Sequence, residues 1–78
     1  MKFRITEMYK NAFDLMVEWL DENEVDYLAT EDNDIILNFK DMRIDYIDGD
    51  QVRIYIDKHN RHEVFELDST EFVEIKIF

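Results

Sequence analysis

The spacing of apolar residues changes along the chain, and each spacing predicts an element. Tyr9, Ala12, Phe13, Met16, Val17 and Leu20 recur at steps of three and four, which is the pattern of one helix face. Thr6 is placed to cap that helix and Glu7 to favour its first turn. The pattern therefore predicts a helix from Glu7 to Glu22. Leu15 and Trp19, four apart, form a second apolar ridge, with Met8 in line. Asp14, Glu18, Asp21 and Glu22 occupy the opposite side.

From Val25 onward the period falls to two, the repeat of a strand with one buried face. Val25–Thr30 predicts a strand and Glu31–Asp34 a polar turn. Ile35, Leu37 and Phe39 alternate inward. Met42, Ile44 and Tyr46 do so one residue out of phase, so Lys40-Asp41 is either a bulge or a tight turn. Asp48-Gly49-Asp50 is a turn around the only glycine. Val52, Ile54 and Ile56 line the next strand, and Lys58–Arg61 turns the chain again. His62–Leu67 and Phe72–Phe78 complete the pattern, with Val73, Ile75 and Ile77 inward. A short strand at Lys2–Ile5 is expected to join at an edge. The far face is expected to carry Arg53, Tyr55, Asp57, Glu66, Phe72, Glu74 and Lys76. The fold class is α+β, with one N-terminal amphipathic helix packed on a four- to six-stranded, mainly antiparallel β-meander. Residues 1–78 are expected to form a single acidic α+β domain.

Composition supports a core. Hydrophobic residues make up 46% and aromatics 14% of 78 residues, enough to oppose disorder at a net charge of −11. The chain has no cysteine, which excludes disulfides, thiolate metal sites and a cysteine nucleophile. No apolar run approaches the roughly 18 residues of a membrane helix. The opening MKFRITEMYK lacks the apolar segment of a secretion signal. The expectation is a soluble, cytoplasmic protein.

The charge narrows the partners. A sequence pI near 4.3 opposes direct binding to nucleic acid, whose phosphates are neutralised by lysine and arginine. It also opposes an anionic membrane surface. It favours a basic protein or a cation. The imbalance is concentrated: between Lys10 and Lys40 lie nine acids and no base. Several sit near the predicted helix C-terminus, where the dipole disfavours each by about 0.3–1 kcal/mol.

The candidate cation and catalytic sites each have a plainer reading. The stretch DYIDGDQVRIYI has turn acids but places Ile56 where a calcium loop needs its glutamate. The EDND stretch lacks the central glycine, and both read better as hairpin turns. His59 and His62 are three apart beside Lys58 and Arg61, a poor setting for a metal. No phosphate loop or nucleophile elbow is present, and Ser69, the only serine, suits a turn. A domain this small also has little room for a pocket of about 300 Å³ or more. The expectation is therefore no enzyme, no cofactor and no metal.

An acid array has one direct use. A helix step of four advances about 6 Å, and a strand step of two about 6.6 Å. Each is close to twice the 3.4 Å rise per nucleotide. Carboxylates at such spacing suit a groove built to hold phosphates. The expected partner-binding residues are Asp14, Glu18, Asp21, Glu22, Glu24, Asp26, Glu31, Asp32 and Asp34. Trp19 and Tyr27 are the expected apolar anchors, with Leu28 as a further candidate. In size, charge and compactness the chain resembles the small acidic inhibitors that phages make against host defence nucleases, including anti-CRISPR and anti-restriction proteins. The resemblance is to a functional class. It rests on no residue motif and transfers no residue roles. It implies a basic partner surface that normally binds nucleic acid. The alternative is a small intracellular protein-interaction domain, homodimeric through the Trp19 ridge, that is acidic only for solubility.

Overall fold

The computed structural model describes residues 1–78 apart from 41, 48 and 58–60. The described elements are β1 (Lys2–Thr6), α1 (Lys10–Glu22), β2 (Tyr27–Ala29), β3 (Ile35–Asn38), β4 (Met42–Ile47), β5 (Gln51–Ile56), β6 (Glu63–Asp68) and β7 (Glu74–Ile77). A 3-10 turn at Ser69–Glu71 leads into β7. The class is α+β, as the periodicity predicts, but the strands make two sheets. One has the order β2-β3-β1-β7 and the other β4-β5-β6, both antiparallel.

The seven strands among the described residues exceed the expected four to six, and of the two sheets they form the second is the meander. The expected edge strand at Lys2–Ile5 is instead central. Phe3 and Ile5 are fully buried and lie opposite Leu37 and Ile35 on one side, Ile77 and Ile75 on the other. A strand whose inward residues are completely buried gains most between two neighbours, where its backbone groups are paired on both sides. The expected polar far face is likewise divided. Arg53, Tyr55 and Glu66 belong to the second sheet, Glu74 and Lys76 to the first.

The core is shared by all three layers. Ala12, Met16 and Leu20 of α1 join Phe3, Ile5, Ile35 and Leu37 of the first sheet and Val52, Ile54, Ile56 and Leu67 of the second. β5 shows the period-two logic, with Val52, Ile54 and Ile56 buried and Arg53 and Tyr55 half-buried between them. Truncating a residue such as Leu20 to Ala costs roughly 2–5 kcal/mol in sites of this kind.

The helix begins three residues later than its apolar pattern suggests. The Thr6 hydroxyl donates to the Glu74 carbonyl at 3.1 Å and caps nothing. The amides of the next three residues are committed elsewhere. Glu7 donates to Asp34 Oδ1 at 2.8 Å, Met8 to the Asn33 carbonyl at 3.0 Å and Tyr9 to the Glu71 carbonyl at 2.8 Å. Glu7 is held at φ 49, outside the right-handed helical region. Tyr9, expected on the inward face, is exposed as the residue before the helix.

The helix end is built by the backbone. Val25 donates to the Leu20 carbonyl at 3.0 Å and Glu24 to the Asp21 carbonyl at 3.2 Å. With Asn23 as C-cap and Glu24 at φ 56, this is a Schellman motif. Glycine is the usual residue at that left-handed position, and glutamate holds it here. Asn23 is buried and donates its side-chain amide to the Trp19 carbonyl at 2.8 Å. Gly49, at φ 72, forms the turn after β4, where Asp50 donates to the Ile47 carbonyl at 3.3 Å. Phe39 and Lys40 lie in a turn, whereas Asp41, Asp48 and most of the Lys58–Arg61 expectation fall outside the described residues.

Candidate partner-binding surface

The helix repeat places Asp14, Glu18, Asp21 and Glu22 within an arc of about 100°, and all four are exposed. From Asp14 to Glu22 the row runs about 12 Å along the axis. α1 has no acid in its first turn and no base in its last. Lys10 Nζ meets Asp14 Oδ1 at 2.9 Å, so the one basic residue of α1 sits at its start. That exposed i,i+4 pair is worth about 0.3–0.5 kcal/mol and is weakened by salt.

Asp21 has a fixed partner across the helix exit. The Tyr27 hydroxyl donates to Asp21 Oδ1 at 2.9 Å, linking β2 to the last turn of α1. This bond, with burial and the nearby negative charge, raises the Tyr27 pKa above its usual 10.0. Asp26 is exposed just before β2, and Glu24 is exposed at the left-handed helix stop. Asp21, Glu22, Glu24 and Asp26 thus surround one end of the helix.

The acids of the β2–β3 hairpin lie at the other end. The bonds from Glu7 to Asp34 and from Met8 to Asn33 dock the hairpin tip beside the approach to α1. A helix of 13 residues separates the two groups, roughly 20 Å of axis. Glu31 and Asp32 are exposed at the tip. Asp34 differs from them: its side chain is 14% exposed, it accepts the Glu7 amide, and its Oδ2 lies 3.8 Å from Arg4 Nε. Its own amide donates to Thr30 Oγ1 at 3.1 Å. Asp34 therefore closes the turn and anchors β1 to the hairpin.

Trp19 is half-buried and packs on Phe65 of β6, with ring centroids 5.2 Å apart. Met8, in line with that ridge, is buried, and only Leu15 stands out, at 59% exposure. Tyr27 is half-buried and Leu28 exposed.

The outer face of the first sheet holds a feature the sequence reading missed. Cross-strand register places Arg4 between Ile36 and Lys76, and Lys2 beside Asn38. Three bases thus share one face of an acidic protein, with Glu74 beside Lys76. The alternation of Lys2 with Arg4 and of Glu74 with Lys76 was the available signal. It became informative only once β1 and β7 were known to pair. The same face carries an open groove of about 440 Å³ lined by residues including Lys2, Arg4, Leu28, Ile36 and Phe78. The groove is larger than the roughly 300 Å³ for which a domain this small was expected to have little room, but it is open to solvent along the sheet surface. Among the described residues no group of three or more His, Asp or Glu is arranged to hold a metal ion. No helix among them is long and apolar enough to cross a membrane. The chain matches no protein-family model, no curated protein and no solved structure.

Proposed function

We propose that this chain is a non-enzymatic acidic binding protein of the phage-inhibitor type, anti-CRISPR or anti-restriction in class. In this reading it occupies a basic nucleic-acid-binding surface of a host defence protein, with its carboxylates standing in for phosphates. The observation that carries the proposal is the exposed acid arc of α1, continued at the helix exit by Glu24 and Asp26. Two of its features oppose folding stability. Acids crowd the negative end of the helix dipole, and a glutamate takes the left-handed position that glycine occupies at least strain. Charge retained at such positions is consistent with selection for binding. A one-signed surface also raises the capture rate of a basic partner by about 10- to 10³-fold. Asp34 belongs to the scaffold in this reading, and the contact surface is Asp14, Glu18, Asp21, Glu22, Glu24 and Asp26, with Glu31 and Asp32 at the far end.

The test is competition. Purified guide-RNA-loaded and restriction nucleases are incubated with a fluorescent DNA substrate, and the protein is titrated in. The expected result is displacement of DNA from at least one nuclease, weakening as salt rises. The variant Asp21→Asn, Glu22→Gln, Glu24→Gln, Asp26→Asn is expected to fold normally and to lose displacement. Equal displacement by this variant, at low and high salt alike, refutes the phosphate-mimicry mechanism.

A further inference from the structure

β7 is an outer strand of its sheet, and its Ile77 and the neighbouring Val73 are left exposed. Ile75 and Ile77 share the face that carries Phe3 and Ile5, with Ile75 packed on the core, and Val73 lies in the bend just before β7. Burial along this stretch is nevertheless incomplete, with Val73 63% and Ile77 56% exposed. Edges are ordinarily protected by proline, by repeated lysine or by an inward charge. β7 has one lysine, and its neighbour two residues away is a glutamate of opposite sign.

The direction of the free backbone groups follows from the ladder. Lys2 and Phe78 exchange both backbone hydrogen bonds at 2.8 Å. Bonded and non-bonded positions alternate along an antiparallel pair. The amides and carbonyls of Phe78 and Lys76 therefore face β1, and those of Ile75 and Ile77 point to the open edge. An added antiparallel strand must pair with these odd-numbered residues.

We propose that a second copy of this chain docks here, β7 against β7, about a two-fold axis through Ile75. In that register Ile75 faces the partner's Ile75, and Ile77 lies beside the bend at the partner's Val73. Glu74 faces the partner's Lys76, and Lys76 the partner's Glu74. The next registers that keep odd residues paired set Lys76 against the partner's Lys76, or Glu74 against the partner's Glu74. Like charges directly opposite destabilise a strand pair, so charge alone selects one alignment. The two Ile75 residues exchange a pair of backbone bonds. The Val73 amide is already used by the Thr6 carbonyl at 2.9 Å. The exposed Ile77 of each copy is brought to the interface, and the two four-stranded sheets become one of eight strands.

The other edges are less suited. β2 has three residues. Self-pairing of β6 brings Glu63, Glu66 and Asp68 of both copies together. On β4, Arg43 is engaged by Asp57 at 2.9 Å and lies over the Tyr55 ring. None of the α1 acids lies in the proposed interface, so this dimer stands or falls separately from the inhibitor reading.

The experiment is sedimentation equilibrium of the full chain over a wide concentration range, with charge exchange across the predicted pairs. Wild type is expected to show a concentration-dependent monomer–dimer equilibrium. Glu74→Lys and Lys76→Glu are each expected to weaken it about tenfold, because each creates two like-charged pairs. The double variant Glu74→Lys, Lys76→Glu restores opposite charges and is expected to return to near wild-type affinity. Ile77→Lys, checked for folding by its thermal melt, is expected to give monomer. A wild type that stays monomeric at millimolar concentration overturns the proposal. So does a dimer that survives Ile77→Lys, or a double variant no tighter than the singles.

Discussion

Replacing Asp34 by alanine separates acids that hold the fold from acids that only face solvent. Asp34 accepts the Glu7 amide at 2.8 Å and lies 3.8 Å from Arg4. Loss of a side-chain acceptor of this capping kind costs about 0.5–2 kcal/mol. Loss of a partly exposed ion pair adds about 0–1 kcal/mol. The Glu7 residue is exposed, so water recovers part of the first contribution, and the expected total is about 1–2 kcal/mol. For a domain of this size that lowers the Tm by roughly 5–15 °C. Asp32→Ala, two residues away on the same tip, removes an exposed carboxylate and is expected to stay within about 0.5 kcal/mol of wild type. Asp34→Asn keeps an oxygen acceptor for Glu7 and is expected to fall between. Urea unfolding followed by Trp19 fluorescence measures all three, since Trp19 packs on Phe65 only in the folded chain. If Asp34→Ala and Asp32→Ala are equally stable, Asp34 does not anchor the hairpin and the division of the acids is wrong.

Glu24→Gly is expected to raise stability by about 0.5–1 kcal/mol, because glycine relieves the left-handed strain at the helix stop; an unchanged urea midpoint contradicts this. The same substitution leaves only three acids at the helix exit and is expected to weaken capture of a basic partner. Trp19→Ala is expected to destabilise by about 2–4 kcal/mol through lost packing on Phe65, and a melt unchanged from wild type would mark Trp19 as a surface anchor. Tyr27 is expected to ionise above pH 10.0, and Asp21→Asn to bring it back down, read by ultraviolet titration of the phenolate. The sign follows from linkage. The folded state holds this proton more tightly, so the contribution to stability is present below the unfolded pKa and is lost as pH rises through the folded one.

The parts of the fold visible in the sequence are those set by local periodicity. The helix face at Ala12, Met16 and Leu20 and the alternation at Val52, Ile54 and Ile56 each report burial within one element. The helix start was not visible, because the Glu7, Met8 and Tyr9 amides bond to residues 25 to 62 positions away. Strand order was hidden for the same reason. Lys2–Thr6 reads as a short polar-apolar segment whether central or at an edge, and only its pairing with residues 35–38 and 74–77 decides between them. Of the candidate site, the exposed helix acids were legible as the polar side of an amphipathic pattern. That Asp34 is structural, and that the hairpin acids lie a helix length from the exit acids, depends on where the chain docks after turning.

The central position of β1 also governs the order of assembly. Each contact of β4 with β5 spans at most 14 positions, so that hairpin closes small loops. β1 must find partners about thirty and seventy positions away, and its bond from Thr6 to Glu74 spans 68. Contacts of that range carry a larger closure entropy before any burial offsets it. The three-stranded sheet is therefore expected to form first, and the insertion of β1 between β3 and β7 to be the slow step. Until β7 arrives, β1 has one open side and two fully apolar side chains, Phe3 and Ile5, partly uncovered. Pulsed hydrogen exchange would register this as late protection of the Arg4 amide and early protection of the Ile54 amide. The interval between them is when the chain is most exposed to aggregation and to chaperone capture.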